Sequence, residues 1–203
     1  MPGPEYSGAA MLTLAVALLL QGCPQQIRVA VPSARSTTAS LTVTECGRRV
    51  LGPWRARVGR NGVSAHHREG DGTTPLGTFA IGPVVYGIDP SPGLHFRFHR
   101  LVCGDWWDED PRSPGYNRFS HVPCGTAPPF GGGSEALWRI TPAYRLFAVV
   151  EYNAAPIVPG RGSAIFLHVD TSHATNGCIS LPKPELVRVL RELRPGATIA
   201  VVM

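Results

Sequence analysis

The apolar positions of this chain alternate with polar positions in short runs that Gly, Pro or Asn residues bound. This alternation, with β-branched and aromatic content, is typical of strands and is found in ASLTVTEC, GTFAIG, LHFRFHRLV, YRLFAVVEY and AIFLHV. Near the end, PKPELVRVLRELRPG has apolar residues at helical spacing, and ATIAVV then predicts a terminal strand. The pattern therefore predicts a mainly β domain, a sandwich or a barrel, with one or two short helices.

Composition supports a compact β-rich domain. Gly 23 and Pro 20 among 203 residues favour turns and short strands over long helices. The hydrophobic fraction of 43% is enough for a packed core. The net charge of +5 is spread along the chain without a Lys/Arg run, so no nucleic-acid partner is predicted.

The N-terminus has the features of an export signal. The uncharged apolar run AAMLTLAVALLLQGC has the length of a signal-peptide core and is too short to span a bilayer. Its last four residues resemble a bacterial lipobox, in which the cysteine, here Cys23, becomes lipidated. Residues 1–23 are therefore predicted to be a signal peptide or a lipoprotein signal, with membrane attachment by an N-terminal lipid as one alternative.

This interpretation predicts an exported protein of the cell envelope, at the outer face of the cytoplasmic membrane or in the cell wall. Residues 24–40 are rich in Ser, Thr, Ala and Pro and are expected to form a tether. The folded domain is expected over residues 41–203.

Export would place the cysteines in an oxidising compartment, where pairs are expected. Cys103 and Cys124 flank a polar segment rich in Trp and Pro, and each is followed by Gly. We expect a disulfide between them that ties down a surface loop containing GDWWDEDP. Cys46 is left without an assigned partner, and Cys178 must stay unpaired if it is catalytic.

Candidate chemistry concentrates in FLHVDTSHATNGCISLP, residues 166–182. His168 ends one apolar strand and Cys178 opens the next, with Asn176-Gly177 able to form a tight return. If the strands pair, the imidazole can take the thiol proton, and the N–H groups of Gly177 and Cys178 can face a developing oxyanion. The alternative is an inert core cysteine beside a satisfied strand-end histidine.

Two segments resemble one known family. GSAIFLHVD…TNGCISLP is similar to the catalytic signature of the L,D-transpeptidase (YkuD-type) family, and REGDGTTPLGTFAIG, residues 68–82, resembles a second family segment. The resemblance implies an L,D-transpeptidase-like β-sandwich over residues 41–203, with Cys178 as nucleophile and His168 as base. It also implies that residues 68–82 support the active-site sheet.

The chain departs from the family pattern beside the cysteine. The family usually has His two residues before the cysteine, where this chain has Asn176, whose amide can still donate a hydrogen bond to a substrate carbonyl. His173 occurs earlier in the loop. It is a candidate site residue, with a solvated loop histidine as the alternative.

The resemblance implies a cell-wall enzyme whose partners are peptidoglycan stem peptides. Cys178 would form a thioester, which an amine of a second stem resolves into a 3→3 cross-link. This chemistry requires no metal and no organic cofactor. Two alternatives stay open: an L,D-carboxypeptidase or other cysteine peptidase acting on stems, and a catalytically silent wall-binding lipoprotein.

Overall fold

The computed structural model describes residues 23–203, and strands dominate its regular structure. In chain order the strands are β1 Gln25–Ala30, β2 Thr38–Glu45, β3 Arg48–Arg57, β4 Val63–Ser64, β5 Thr74–Pro75, β6 Gly77–Gly87, β7 Arg97–Arg100, β8 Asp105–Asp108, β9 Arg118–His121, β10 Glu135–Ala136, β11 Phe147–Val150, β12 Phe166–Val169, β13 Ile179–Leu181 and β14 Thr198–Val202. Helix α1 spans Lys183–Glu192, and 3₁₀ turns span Leu137–Arg139 and Ala143–Arg145. The mainly β class is confirmed. Apart from Cys23, the predicted signal segment lies outside the described residues.

One large sheet encloses the main core. Its nine strands run in the order β11-β12-β13-β3-β2-β1-β14-β6-β7, and β11 also pairs with β6. This extra pairing closes the sheet on itself, so the inward faces of its strands bury a common apolar cluster. The predicted terminal helix is present as α1, and its Leu186, Val189 and Leu190 are fully buried against this cluster.

The predicted tether over residues 24–40 is wrong. Strand β1 lies inside the large sheet, antiparallel to β2 and parallel to β14. The reason is the alternation in QQIRVAV, which buries Ile27 and Val29 completely while Arg28 faces solvent. The folded domain therefore begins before residue 41.

The disulfides also revise the N-terminal prediction. Cys23 pairs with Cys46, and Cys103 pairs with Cys124, the pair that the sequence favours. A sulfur in a disulfide cannot also carry a thioether-linked lipid, so the first pair contradicts a lipid anchor on Cys23. Within residues 23–203, Cys178 is the free cysteine.

The segment expected to be a surface loop forms a second, smaller layer. Strands β10, β8 and β9 make a three-stranded antiparallel sheet. Trp107 of β8 packs edge-to-face on Phe166 of β12, with ring centroids 5.0 Å apart. This layer covers the outer face of the large sheet around Phe166 and Phe147, where a second apolar cluster forms.

No helix within the described range is long and apolar enough to cross a bilayer.

We predict that β1 is essential for stability. Ile27→Ala should lower the free energy of unfolding by about 2–5 kcal/mol, because it removes a fully buried side chain and leaves a cavity. Urea denaturation followed by circular dichroism measures this change. Arg28→Ala, on the exposed face of the same strand, should change it by about 0.5 kcal/mol or less. If both substitutions had equal, negligible effects on the free energy of unfolding, the interpretation of residues 24–40 as a tether would be supported instead.

Candidate active site

The site is built on two neighbouring parallel strands. Strands β12 and β13 pair in parallel, with Leu167 opposite Ile179 and His168 opposite Ser180. The expected tight Asn-Gly return is therefore wrong, because residues 170–178 connect parallel strands rather than a hairpin. Since paired residues of parallel strands face the same side and side chains alternate, His168 and Cys178 lie on the same face of the sheet.

The imidazole of His168 is held in one tautomer. The side chain is buried, and Nδ1 lies 2.8 Å from the carbonyl oxygen of Val169. A carbonyl oxygen can only accept, so Nδ1 carries the hydrogen and Nε2 of the neutral ring keeps its lone pair. Burial lowers the pKa of His168, which favours this neutral form. The ring therefore has the properties of a proton acceptor at Nε2.

The thiol of Cys178 is bound to the backbone that leads into β12. Sγ donates to the carbonyl oxygen of Ala164 at 3.1 Å and accepts from the N–H of Phe166 at 3.3 Å. Ala164 has a φ of +52°, which non-glycine residues rarely adopt and which is found preferentially at functional sites. Among the hydrogen bonds of residues 23–203 none joins His168 to Cys178. The thiol hydrogen is therefore directed at the carbonyl of Ala164 and not at the imidazole.

The surroundings of the thiol keep it protonated. Burial raises the pKa of Cys178 well above its usual range, and the nearby carboxyls of Glu135 and Glu109 raise it further. The N–H of Phe166 opposes this shift only in part. The thiol of Cys178 and the imidazole of His168 thus both favour their neutral forms.

A cavity of about 340 Å³ opens next to the thiol. Charged and polar side chains, glycines and residues around the cysteine line it: Arg60, His67, Glu69, Gly70, Glu109, Gly132, Gly133, Glu135, Ser163, Ala164, Ile165, Asn176, Gly177 and Cys178. The structure thus brings together three of the sequence-predicted residues, Cys178, Gly177 and Asn176. His173 is exposed on the loop and, like His168, is not among the lining residues.

Gly177 is required by geometry. Its φ is +147°, and a Cβ there would lie 3.1 Å from the carbonyl oxygen of Thr73 and 3.2 Å from Cδ1 of Ile165. Its N–H, predicted to face the oxyanion, donates to Oγ1 of Thr175 at 3.2 Å. A substrate oxygen would have to replace this hydroxyl.

The second sequence segment contacts the cysteine directly. Oγ1 of Thr74 accepts from the N–H of Gly59 at 2.8 Å and donates to the carbonyl oxygen of Cys178 at 3.3 Å. Asp71 holds the preceding turn by accepting from the N–H groups of Arg68 and Thr73, each at 2.8 Å. Residues 68–82 therefore support the backbone of Cys178, as expected for them.

Comparison with known families decides the assignment. Residues 33–202 match the family model YkuD, described as the L,D-transpeptidase catalytic domain. The chain belongs to the L,D-transpeptidase catalytic-domain family. No curated protein matches the chain.

Among solved structures, the chain is similar to L,D-transpeptidase 1 of Mycobacterium tuberculosis. The two share 16% identity with a TM-score of 0.40, and the match covers 90% of this chain and 63% of that one. The chain therefore spans less than two thirds of that structure's length.

Sequence reasoning on this L,D-transpeptidase-family domain missed the acidic side of the cavity. Glu109 belongs to the segment predicted as a surface loop, and Glu135 follows the glycine-rich stretch before β10. Glu109 and Glu135 lie outside both segments that resemble the family, so no sequence motif links them to Cys178. Arg60 was missed for the same reason, although its guanidinium donates to Oδ1 of Asn176.

We predict a pH-dependent contribution of Asp71 to stability. Burial alone would raise the pKa of Asp71, but the N–H groups of Thr73 and Arg68 lower it below its ordinary value of 3.8. A carboxyl whose pKa is lower in the folded state than in the unfolded state stabilises the fold at pH values above its unfolded-state pKa. This stabilisation is lost as the pH falls through the folded-state pKa. Asp71→Asn should therefore lower the Tm at pH 7, with a smaller difference near pH 3.

Thermal unfolding of both proteins at the two pH values measures this difference. Asp89→Asn is a matched control, because the side chain of Asp89 is 31% exposed and that of Asp71 is 28% exposed. Asp89 makes a surface ion pair with Lys183, which contributes little. A Tm difference for Asp71→Asn that is as large at pH 3 as at pH 7 would contradict the proposed role of its charge.

Proposed function

We propose that the chain is a cell-wall L,D-transpeptidase that forms 3→3 peptidoglycan cross-links through a thioester on Cys178. The observation that carries this proposal is the placement of His168 and Cys178 on one face of adjacent parallel strands, with Nδ1 fixed on Val169. The free cysteine opens on a cavity large enough for an amino-acid residue. Membership in the L,D-transpeptidase catalytic-domain family supports the same reaction class.

Acylation begins with transfer of the thiol proton to Nε2 of His168. Sγ then attacks the carbonyl carbon of the diamino-acid residue in a stem tetrapeptide, forming a carbon–sulfur bond. The carbon–nitrogen bond to the terminal D-alanine breaks as His168 returns the proton to the leaving amine. The product is a thioester, and no metal or organic cofactor takes part in our proposal.

The developing oxyanion needs donors at the cysteine turn. The N–H of Gly177 is the candidate donor, because its bond to Thr175 is long and its position beside Sγ is fixed by packing. The amide nitrogen of Asn176 is a second candidate, since Arg60 binds only its oxygen.

The thioester is resolved by an amine of a second stem. The amine nitrogen attacks the thioester carbon, the carbon–sulfur bond breaks, and the nitrogen's proton returns to the thiolate by way of His168. This step forms the cross-link and regenerates the thiol. Water as acceptor would instead make the protein an L,D-carboxypeptidase, and the replacement of the family's second histidine by Asn176 is the feature that favours this alternative.

The proposed location is the cell envelope. Cys23–Cys46 and Cys103–Cys124 are disulfides, which form and persist in oxidising compartments outside the cytoplasm. The predicted signal segment agrees with export. Peptidoglycan stem peptides are the proposed partners.

We predict covalent acylation of the protein by a carbapenem, because the resemblance implies a thiolate of the kind that such drugs acylate. Intact-mass spectrometry should show one adduct on the wild type and none on Cys178→Ala. His168→Ala should slow adduct formation by about 10²- to 10⁴-fold, since it removes the proton acceptor. His173→Ala is the matched control, and its exposed position predicts a rate close to that of the wild type.

Equal rates for the wild type and His168→Ala would contradict the assignment of the base. No adduct on the wild type would favour a silent wall-binding protein. Incubation with stem tetrapeptides then separates the two enzymatic alternatives: cross-linked product indicates transfer, whereas free tripeptide without cross-links indicates hydrolysis.

A further inference from the structure

His67 is a buried imidazole that the reaction described above does not use. Its side chain lines the cavity beside Cys178, and it also lines a second cavity of about 320 Å³. Neither Cys178 nor His168 lines this second cavity. Since only 5% of His67 is exposed, the residue forms part of the boundary between the two cavities.

Nδ1 of His67 is a hydrogen-bond donor. It lies 3.0 Å from Oδ1 of Asp71 and 3.1 Å from Oγ1 of Thr73. The hydroxyl of Thr73 donates its only hydrogen to Oδ1 of Asp71 at 2.8 Å, and the carboxylate, whose pKa is lowered, can only accept. Both neighbours of Nδ1 are therefore acceptors. Nδ1 carries the hydrogen, and Nε2 of the neutral ring keeps its lone pair.

Nε2 of His67 is free to accept a proton. No hydrogen bond within residues 23–203 uses this nitrogen, yet it is not one of the fully enclosed atoms that lack a partner there. Burial lowers the pKa of His67, although the charges of Asp71 and Glu69 oppose this shift, so the ring is neutral at pH 7. The residue therefore has the properties of a base.

The packing of the ring places its Nε2 edge near the cysteine turn. The ring of Tyr152 packs edge-to-face against that of His67, with centroids 5.2 Å apart. A Cβ at Gly162 would lie 2.5 Å from Nε2 and Cδ2, and a Cβ at Gly177 would lie 3.6 Å from Cε1. The edge that carries Nε2 thus lies between these two glycines. Because Gly177 directly precedes Cys178, the base stands beside the turn that carries the thiol.

An amine that resolves a thioester needs a base of this kind. At pH 7.4 an alkyl amine with a pKa near 10.4 is a free base in only about one molecule in 10³, and its ammonium form has no lone pair for attack. One proton must therefore leave before the attack. The proton that His168 returns to the thiolate is a second one, so the first proton needs a different acceptor.

We propose that His67, paired with Asp71, is a second base of the site and takes the first proton from the ammonium of the acceptor stem. The inference rests on the proposed function, because it needs a thioester on Cys178. An N–H bond of the ammonium breaks and its proton binds Nε2, while the carboxylate of Asp71 stabilises the imidazolium. The free amine then attacks the thioester, and His67 releases its proton to water through the second cavity.

The experiment separates thioester formation from thioester resolution. The thioester is formed with a stem tetrapeptide, isolated by rapid gel filtration, and mixed at pH 7.4 with either fresh tetrapeptide or hydroxylamine. Hydroxylamine is largely unprotonated at this pH, so its attack does not require the first proton transfer. Intact-mass spectrometry follows the formation and the loss of the thioester.

His67→Gln should slow resolution by the tetrapeptide about 10- to 10³-fold, because only the free-base fraction of the acceptor can then react. Thioester formation and resolution by hydroxylamine should be unchanged, and more of the thioester should be lost to hydrolysis. His66→Gln is the matched control. His66 is the exposed neighbour and does not line the cavity beside Cys178, so all three rates should equal those of the wild type.

Asp71→Asn is a second variant that keeps the imidazole in the site. It removes the charge that stabilises the imidazolium, so resolution by the tetrapeptide should again slow while resolution by hydroxylamine does not. A purely structural effect of either substitution would instead slow both acceptors equally.

Three results would overturn the inference. The first is tetrapeptide resolution in both variants at the wild-type rate, which removes this inference and leaves the proposed function intact. The second is equal slowing with tetrapeptide and hydroxylamine in both variants, which reduces His67 and Asp71 to supports of the fold. The third is a wild-type thioester that only water resolves. If the wild type forms no thioester at all, the proposed function fails and this inference fails with it.

Discussion

The parallel register of β12 and β13 is the constraint on which the site depends. Leu167 and Ile179 face each other in this register and are fully buried in the main core. Because side chains alternate with a period of two, a shift of one residue would turn His168 inward and expose Leu167. The same apolar packing that stabilises the sheet therefore holds the imidazole and Cys178 on the outer face. The burial of Leu167 and Ile179 thus contributes both to the stability of the sheet and to the position of the candidate site.

The second layer determines the electrostatics of that outer face. Strands β8 and β10 carry Glu109 and Glu135 over the sheet, and the packing of Trp107 on Phe166 holds this layer in place. Without the layer, Cys178 would face solvent, where no carboxyl opposes its ionisation. With it, the thiol, the imidazole of His168 and the acid of Glu109 all favour their neutral forms.

Much of this fold could be predicted because its strands and helix are periodic. Helix α1 and the first half of β6, the predicted GTFAIG, follow directly from spacing and turn residues. Strand β1 could also have been found from Ile27, Val29 and Val31, which are buried and alternate with Arg28 and the small residue Ala30. The residues that follow it are rich in Ser and Pro, and this composition favours a tether over a strand. Glu109 could not be assigned to the cavity, because only tertiary packing moves an acidic turn next to the cysteine.

The two sequence segments that resemble the family are parts of one structural unit. They lie 104 residues apart at Thr74 and Cys178, yet the hydroxyl of Thr74 donates to the carbonyl of the cysteine. Thr73 limits the space at Gly177 from the same side, which is why that position must be glycine. A change in either segment would move the backbone of Cys178. This mutual dependence explains why the joint presence of both segments predicts the site better than the Cys178–His168 spacing alone.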